Sequence, residues 1–231
     1  MSDVRKAAAA VVLGGADGQQ VLLCQRNPKL RFMPGAWVFP GGQIDGTDVG
    51  QQVRGARDEE EAVAIEAACR EVFEETGLLC VQGQLPDQET IRRARRAVLE
   101  EPRSFDEFLR SHALTIAAAD FEAAGIWVTP PFVPIRFDTR YFICRAPEGQ
   151  QPELHSGEIV DLQWMFPAEA RQRWHRSEIK LPHPVAYVLQ HLAVESHPDL
   201  MAALHQTTVS HAPKFGRVEF RCGINVLALE S

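Results

Sequence analysis

The sequence has no apolar run approaching the roughly 18 residues of a membrane-spanning helix, so no membrane partner is expected. It has no CxxC pair and no Cys/His cluster, which removes the usual zinc signatures. Its five cysteines (24, 69, 80, 144 and 222) are scattered and odd in number. They read as small buried apolar residues of a reducing compartment, without disulfides, and the expected location is cytoplasmic. There is no excess of positive charge. The formal net charge is −7, which argues against general nucleic-acid binding. No internal repeat is visible, and Leu229-Glu230-Ser231 carries no lipidation or address motif.

What is present is ordinary globular composition, 231 residues with 45% hydrophobic and 24% charged, sufficient for a single domain over 1–231. Residues 7–14 and 20–25 read as two strands joined by the turn-rich stretch Gly14 to Gly18. A basic loop follows with Arg26, Lys29 and Arg31, either solvated or poised for phosphate. Residues 32–42 read as a strand bounded by Pro/Gly punctuation, and Gly41-Gly42 permits a tight turn with inward carbonyls. Residues 43–57 are polar and glycine-rich, a loop. Asp58 to Glu61 opens a helix that runs to Thr76, with Gly77 as its C-terminal cap.

Glu71, Glu74 and Glu75 lie on that helix at i, i+3 and i+4, so they share one face beside the apolar stripe Ile65, Ala68, Cys69 and Val72. Like charges so spaced repel. The pattern is either a solvated acidic face or a set of oxygen ligands for a hard divalent cation.

Further on, residues 78–85 read as a strand, and 88–124 as a mostly non-catalytic helical elaboration. Ser104-Phe105-Asp106-Glu107 has a capping-box pattern for a short helix from Phe105. The Arg92, Arg93, Arg95, Arg96 cluster reads as a solvated helix face. Residues 126–131 form an extended segment stopped by Pro130-Pro131. Residues 136–144 alternate as a strand with Arg136, Asp138 and Arg140 on one face, either an ion-pair ladder or a phosphate-binding floor. Another strand covers 159–165, helices cover 167–173 and 181–194, and the tail holds a possible strand at 218–221. His183, His191 and His197 lack ligand spacing.

The Gly-Gly turn followed by Arg70-Glu71-Val72-Phe73-Glu74-Glu75-Thr76-Gly77-Leu78 resembles the Nudix box, G-x5-E-x7-R-E-U-x-E-E-x-G-U with U aliphatic. The second half agrees at every defined position. In the first half Asp48 stands where the family has Glu, and 21 residues separate it from Arg70 where the motif has 7, an insertion of 14. Such a split box resembles the subfamily typified by the mammalian peroxisomal Nudix coenzyme A diphosphatases, as do Phe32 to Ala36, Thr129-Pro130-Pro131, Arg136 to Phe142 and Gly157-Glu158. The likeness spans roughly residues 7–195.

This resemblance implies an α/β Nudix fold: a mixed sheet sandwiched between helices, a helical insertion after the Nudix helix, and a C-terminal extension over about 196–231. It implies Mg²⁺ or Mn²⁺ as cofactor and a small nucleotide-containing diphosphate as substrate, in first place coenzyme A or acyl-coenzyme A. Glu71, Glu74 and Glu75 would be metal ligands, with carbonyls of Gly41 or Gly42 beside them and Arg70 orienting a glutamate. Glu158 would be a further ligand or the general base. Asp48, one methylene short of glutamate, would support the loop. Arg140 and Arg136, then Arg26, Lys29 and Arg31, would bind phosphate. Alternatives are an ADP-ribose, NADH or nucleotide-sugar pyrophosphatase, or a nucleotide sensor without catalysis. Oligomeric state is not legible.

Overall fold

The computed structural model describes residues 4–15, 18–129, 135–155, 157–194, 218–222 and 225–229. Strand β1 (Val4–Gly14) is followed by β2 (Gln20–Arg26), β3 (Trp37–Val38), β4 (Gly41–Gln43) and β5 (Val53–Arg54). Helix α1 (Glu59–Thr76) leads to α2 (Gln88–Glu100) and α3 (Ser104–Ser111). Then come β6 (Ile116–Ala117), β7 (Glu122–Val128), β8 (Arg136–Arg145) and β9 (Ile159–Met165), helices α4 (Pro167–His175) and α5 (His183–Val194), and strands β10 (Val218–Cys222) and β11 (Asn225–Leu229).

The main sheet runs β11-β10-β7-β8-β1-β2-β3, with β4 joined to β1 and β9 to β2. β1 and β8 are parallel; their other partners are antiparallel, so the sheet is mixed. β1 is its centre and is buried on both faces, which is why its sequence is a continuous Ala/Val run without polar alternation. Ala8, Ala10 and Val12 pack with α1–α3, while Ala9, Val11 and Leu13 pack with α4 and α5. The expected sandwich of sheet between helices is therefore the observed one.

β1 also changes partner along its length. It meets β2 at Leu13 and Gly14 but meets β4 at Ala7 to Ala9. This opens the sheet and brings Gly41-Gly42 against the middle of the domain.

Helix α1 begins and ends where its caps dictate. Asp58 accepts a hydrogen bond from the Glu61 amide at 2.8 Å, and Glu61 accepts from the Arg57 amide at 2.7 Å. Gly77, at φ +76°, closes the other end with its N–H on the Phe73 carbonyl. Phe73 is fully buried against Phe105 and Phe108, an anchor contributing roughly 1.5–3 kcal/mol by burial. Phe73→Ala would loosen α1 from α3 at a cost of about 3–5 kcal/mol.

Several expectations are corrected. Residues 78–85 are not a strand. Leu78 and Leu79 turn into the core directly after the cap, and the Leu79 backbone is satisfied by both ends of the Gln150 amide, at 2.8 and 3.2 Å. Only Gln82 makes a bridge, to Thr115. The helical elaboration ends at Ser111. Residues 122–124, helix formers by composition, are held in β7 by pairing with β8, a tertiary override of propensity. The capping box at Ser104 does not form, since the helix already includes Ser104 and has no side-chain cap.

The insertion in the box is ordered. Val53 is buried and β5 pairs with β6. Arg95 is buried rather than solvated: its guanidinium donates twice to the Glu74 carbonyl, at 3.1 and 3.0 Å. Arg93 and Arg96 stay at the surface near Glu89. The tail supplies two strands, with β10 on β7. Pro130-Pro131 and His197 lie outside the described residues.

Candidate metal-dependent active site

The last two turns of α1, β4, the end of β2 and the Gly157-Glu158 segment before β9 surround one cleft of about 1390 Å³. Of the residues singled out from sequence, Arg70, Glu71, Glu74, Glu75, Gly41, Gly42, Arg26 and Glu158 line it. Lys29, Arg31, Arg136 and Arg140 are not among its lining residues.

Arg70 is buried and gathers the cluster. Its Nε and Nη2 donate to the two Asp48 oxygens at 2.8 and 2.9 Å. Its Nη1 donates to Glu71 at 2.9 Å and to Glu74 at 2.8 Å, and Nη2 reaches the Gln43 carbonyl at 3.1 Å. Asp48 also accepts from the Asp45 amide at 2.8 Å, so its shorter side chain closes the loop beneath the glutamates. Burial opposes the charge on Arg70, but the Asp48 hydrogen bonds and the Glu71, Asp48 and Glu74 charges outweigh it and hold the guanidinium protonated.

One guanidinium does not balance this many carboxylates. Burial, aided by Glu74, lifts the Glu71 pKa to about 7 despite Arg70. Burial likewise raises Glu74. Glu75 is pushed well above the ordinary value by burial and then by Glu71, with the Gly41 N–H at 3.2 Å opposing. Gly41 is required by close approach, since a Cβ there would collide with the Ala8–Ala9 backbone, and at Gly42 a Cβ would displace the Glu71 carboxylate. The site is thus a buried oxygen-rich cradle short of positive charge, and its donors suit Mg²⁺ or Mn²⁺.

Among the described residues, no three His, Cys, Asp or Glu side chains converge as a ready-made coordination cluster. Arg70 Nη1 draws the Glu71 and Glu74 carboxylates to one point, while Glu75 is held by the Gly41 N–H. Mg²⁺ needs no complete protein cage, since it takes one or two carboxylates and keeps water and substrate oxygens for the rest.

Strand parity decides the fate of the predicted phosphate floor. Arg136, Asp138 and Arg140 do share a face, but Phe137, Thr139 and Tyr141 are the β8 residues that face the cleft. Arg136 donates to the Thr129 carbonyl, and Arg140 pairs with Glu60 at 2.7 Å in a separate cavity of about 590 Å³ that Lys6 also lines. Sequence reading missed the apolar arm of the cleft, where Trp127, Tyr141 and Tyr187 lie, and the two histidines at its edge, His155 and His183. Alternation along β8 was the available signal for Tyr141. Nothing local marks Tyr187 and His183, because α5 reaches the cleft only through the fold.

The sequence model of the NUDT19 Nudix domain matches residues 57–192, more than half of the chain. The chain belongs to the Nudix hydrolase family. This Nudix hydrolase is 29% identical over 236 residues to the human acyl-coenzyme A diphosphatase NUDT19, covering 77% of this chain and 61% of that protein. It is 39% identical over 93 residues to the Caenorhabditis elegans peroxisomal coenzyme A diphosphatase ndx-8, covering 38% and 33% respectively. A crystal structure of a Nudix hydrolase from Alicyclobacillus acidocaldarius superposes with a TM-score of 0.78 at 28% identity, covering 92% of this chain and all of that one. The chain spans about three fifths of the length of the human relative.

Proposed function

We propose that the chain hydrolyses the diphosphate of coenzyme A or acyl-coenzyme A, with Mg²⁺ or Mn²⁺, to 3′,5′-ADP and (acyl-)4′-phosphopantetheine. The observation that carries this reading is a cleft with two characters. One end is a carboxylate cradle short of positive charge. The rest includes an apolar arm lined by Trp127, Tyr141 and Tyr187, the kind of surface a long, partly apolar leaving group would need. The named activities of the relatives support the same choice.

Glu71, Glu74 and Glu75 would hold the divalent ion, which when bound would offset phosphate charge and make water a stronger nucleophile. Arg70 keeps Glu71 and Glu74 oriented and opposes the rise in their pKa values that burial causes. Arg26 offers its guanidinium to a phosphate oxygen. Glu158 takes the proton from the attacking water. The apolar arm excludes water from the departing group.

A second reading, cleavage of ADP-ribose, NADH or a nucleotide sugar, draws on one observation. Arg26 and Arg70 are the only Arg or Lys among the described residues lining the cleft, and Arg70 is already engaged. A substrate without a 3′-phosphate asks less of so few cations. The deciding experiment is a competition panel of coenzyme A, acetyl-coenzyme A, ADP-ribose, NADH and dinucleoside polyphosphates with Mg²⁺ or Mn²⁺. Coenzyme A compounds should lead in kcat/KM. A lead of tenfold or more for ADP-ribose, about 1.4 kcal/mol, overturns the choice. No turnover of any member with either metal would favour the sensor reading.

A further inference from the structure

Glu158 is the least restrained of the site carboxylates. Its side chain is 70% exposed, and the one ion pair it makes is a long one, 3.7 Å from Arg26 Nη2. A carboxylate so loosely held must owe its direction to its backbone. That backbone is unusual. Gly157 sits at φ +147°, a region L side chains avoid, with no atom within 4 Å of where a Cβ would be. Glycine is therefore needed there for the angle and not for space. The β2–β9 ladder also shifts register just before this point, pairing Gln25 with Asp161 but Arg26 with Ile159. Val160 is the extra residue, a bulge of the kind that re-aims neighbouring side chains.

One residue fixes this segment. The Asn27 backbone N–H donates to the Glu158 carbonyl at 2.7 Å. Its side-chain Nδ2 donates to the Gly157 carbonyl at 3.1 Å. Its Oδ1 accepts the Lys29 amide at 3.0 Å, which locks the rotamer that makes the second bond possible. Asn27 thus grips two successive carbonyls, while its neighbour Arg26 faces the Glu158 carboxylate. Arg26 is in turn tied down by its Nε on the Phe32 carbonyl, at 3.3 Å. The dipeptide holds both the chain and the charge of Glu158.

We propose that Asn27 is a positioning residue, whose backbone and side-chain amides grip the Gly157-Glu158 segment and so aim the Glu158 carboxylate into the cleft. The proposal rests on Glu158 acting in turnover as stated under Proposed function. It adds a determinant from outside the Nudix box, just past the end of β2, the strand that pairs with β9. Asn27 touches no reacting atom; it acts through the orientation of another group, and misplacement of such a group by about 1 Å costs on the order of 10²-fold in rate.

The test is a double-mutant cycle on the full chain, read as kcat and KM for coenzyme A and for ADP-ribose at saturating Mg²⁺. Glu158→Gln should lower kcat by about 10²-fold. Asn27→Ala and Asn27→Asp should each lower kcat by at least ~10-fold with KM within about threefold, since substrate contacts are untouched. Asn27→Asp keeps the backbone N–H and the bond to Lys29, but replaces the Nδ2 donor with a charged oxygen that repels the Gly157 carbonyl, so it carries the test if the alanine variant folds poorly. The double variant Asn27→Asp/Glu158→Gln should be no slower than Glu158→Gln alone, because both changes remove one function. Multiplying losses in the double variant overturn the proposal, as does a normal kcat in both Asn27 variants. A normal kcat for Glu158→Gln also overturns it. That outcome would leave the hydrolase reading standing, since Glu75→Gln tests the latter separately.

Discussion

Helix α1 carries acidic groups at both ends, and the fold treats them oppositely. At the N-terminus Glu60 meets Lys6 at 3.0 Å and Arg140 at 2.7 Å, and Glu61 meets Arg57. The Lys6 hydrogen bond and the Arg140 charge lower the Glu60 pKa, and the Arg57 hydrogen bond lowers that of Glu61. These carboxylates also sit at the positive end of the helix dipole. At the C-terminus Glu71, Glu74 and Glu75 sit at the negative end, with no basic residue in the last turn. Glu71 and Glu74 share one buried guanidinium with Asp48, Glu75 has only the Gly41 N–H, and all three pKa values rise. The difference teaches where to look for a ligand. Folding alone satisfies the first cluster; the second remains short of positive charge until a cation arrives.

The sharpest way to break this comparison is to remove Arg70. Arg70→Ala leaves Asp48, Glu71 and Glu74 buried without a counter-charge and should cost about 3–5 kcal/mol, read as a lowered urea midpoint. An unchanged midpoint would mean that the carboxylates rearrange freely. Next in size, Glu75→Gln should lower kcat by about 10³-fold, roughly 4 kcal/mol, without lowering the melting temperature of the metal-free protein. A stable, fully active variant would end the metal assignment.

Buried Glu66 offers a smaller test away from the cradle. It is 1% exposed, with Oε1 on the Val49 amide at 3.4 Å and Oε2 without a hydrogen-bond partner. Burial, then the Asp48 charge, raises its pKa to about 7. The folded state therefore binds the proton more tightly than the unfolded chain does. The stability from this group is fully present below the unfolded value of 4.5 and is lost as pH rises through about 7, a swing of about 3 kcal/mol. Glu66→Gln should flatten that part of the pH–stability curve and raise stability at pH 8. A wild-type slope in the variant would contradict it.

The smallest effects should come from the N-terminal cluster. Glu60→Gln and Arg140→Ala should each change stability by no more than about 1 kcal/mol and kcat/KM by less than about threefold. A tenfold rise in KM for Arg140→Ala would return that residue to the substrate site.

The helix, its caps and its glutamate face were legible because each depends on residues within a few positions: Asp58, Glu61 and Gly77 at the ends, and the 3.6-residue period between. The hairpin of β1 and β2 was legible for the same reason. Residues 78–85 were misread because their backbone partner, the Gln150 amide, lies far along the chain. Arg95 looked solvated because its acceptor is the Glu74 carbonyl, a backbone group with no sequence signature.

The sequence by itself determined the chemistry at hand: which oxygen donors sit on one helix face, which arginine accompanies them, and where glycine allows backbone to come close. Periodicity and spacing are local properties, and local sterics enforce them. Only the tertiary structure decided which charges meet. Arg140 went to Glu60 and Arg26 to Glu158 because β8 presents alternate residues to opposite faces and β1 exchanges β2 for β4 along its length. Burial, which converts the glutamate trio from an acidic face into a set of carboxylates short of positive charge, is a property of the packed molecule and of no single stretch of chain.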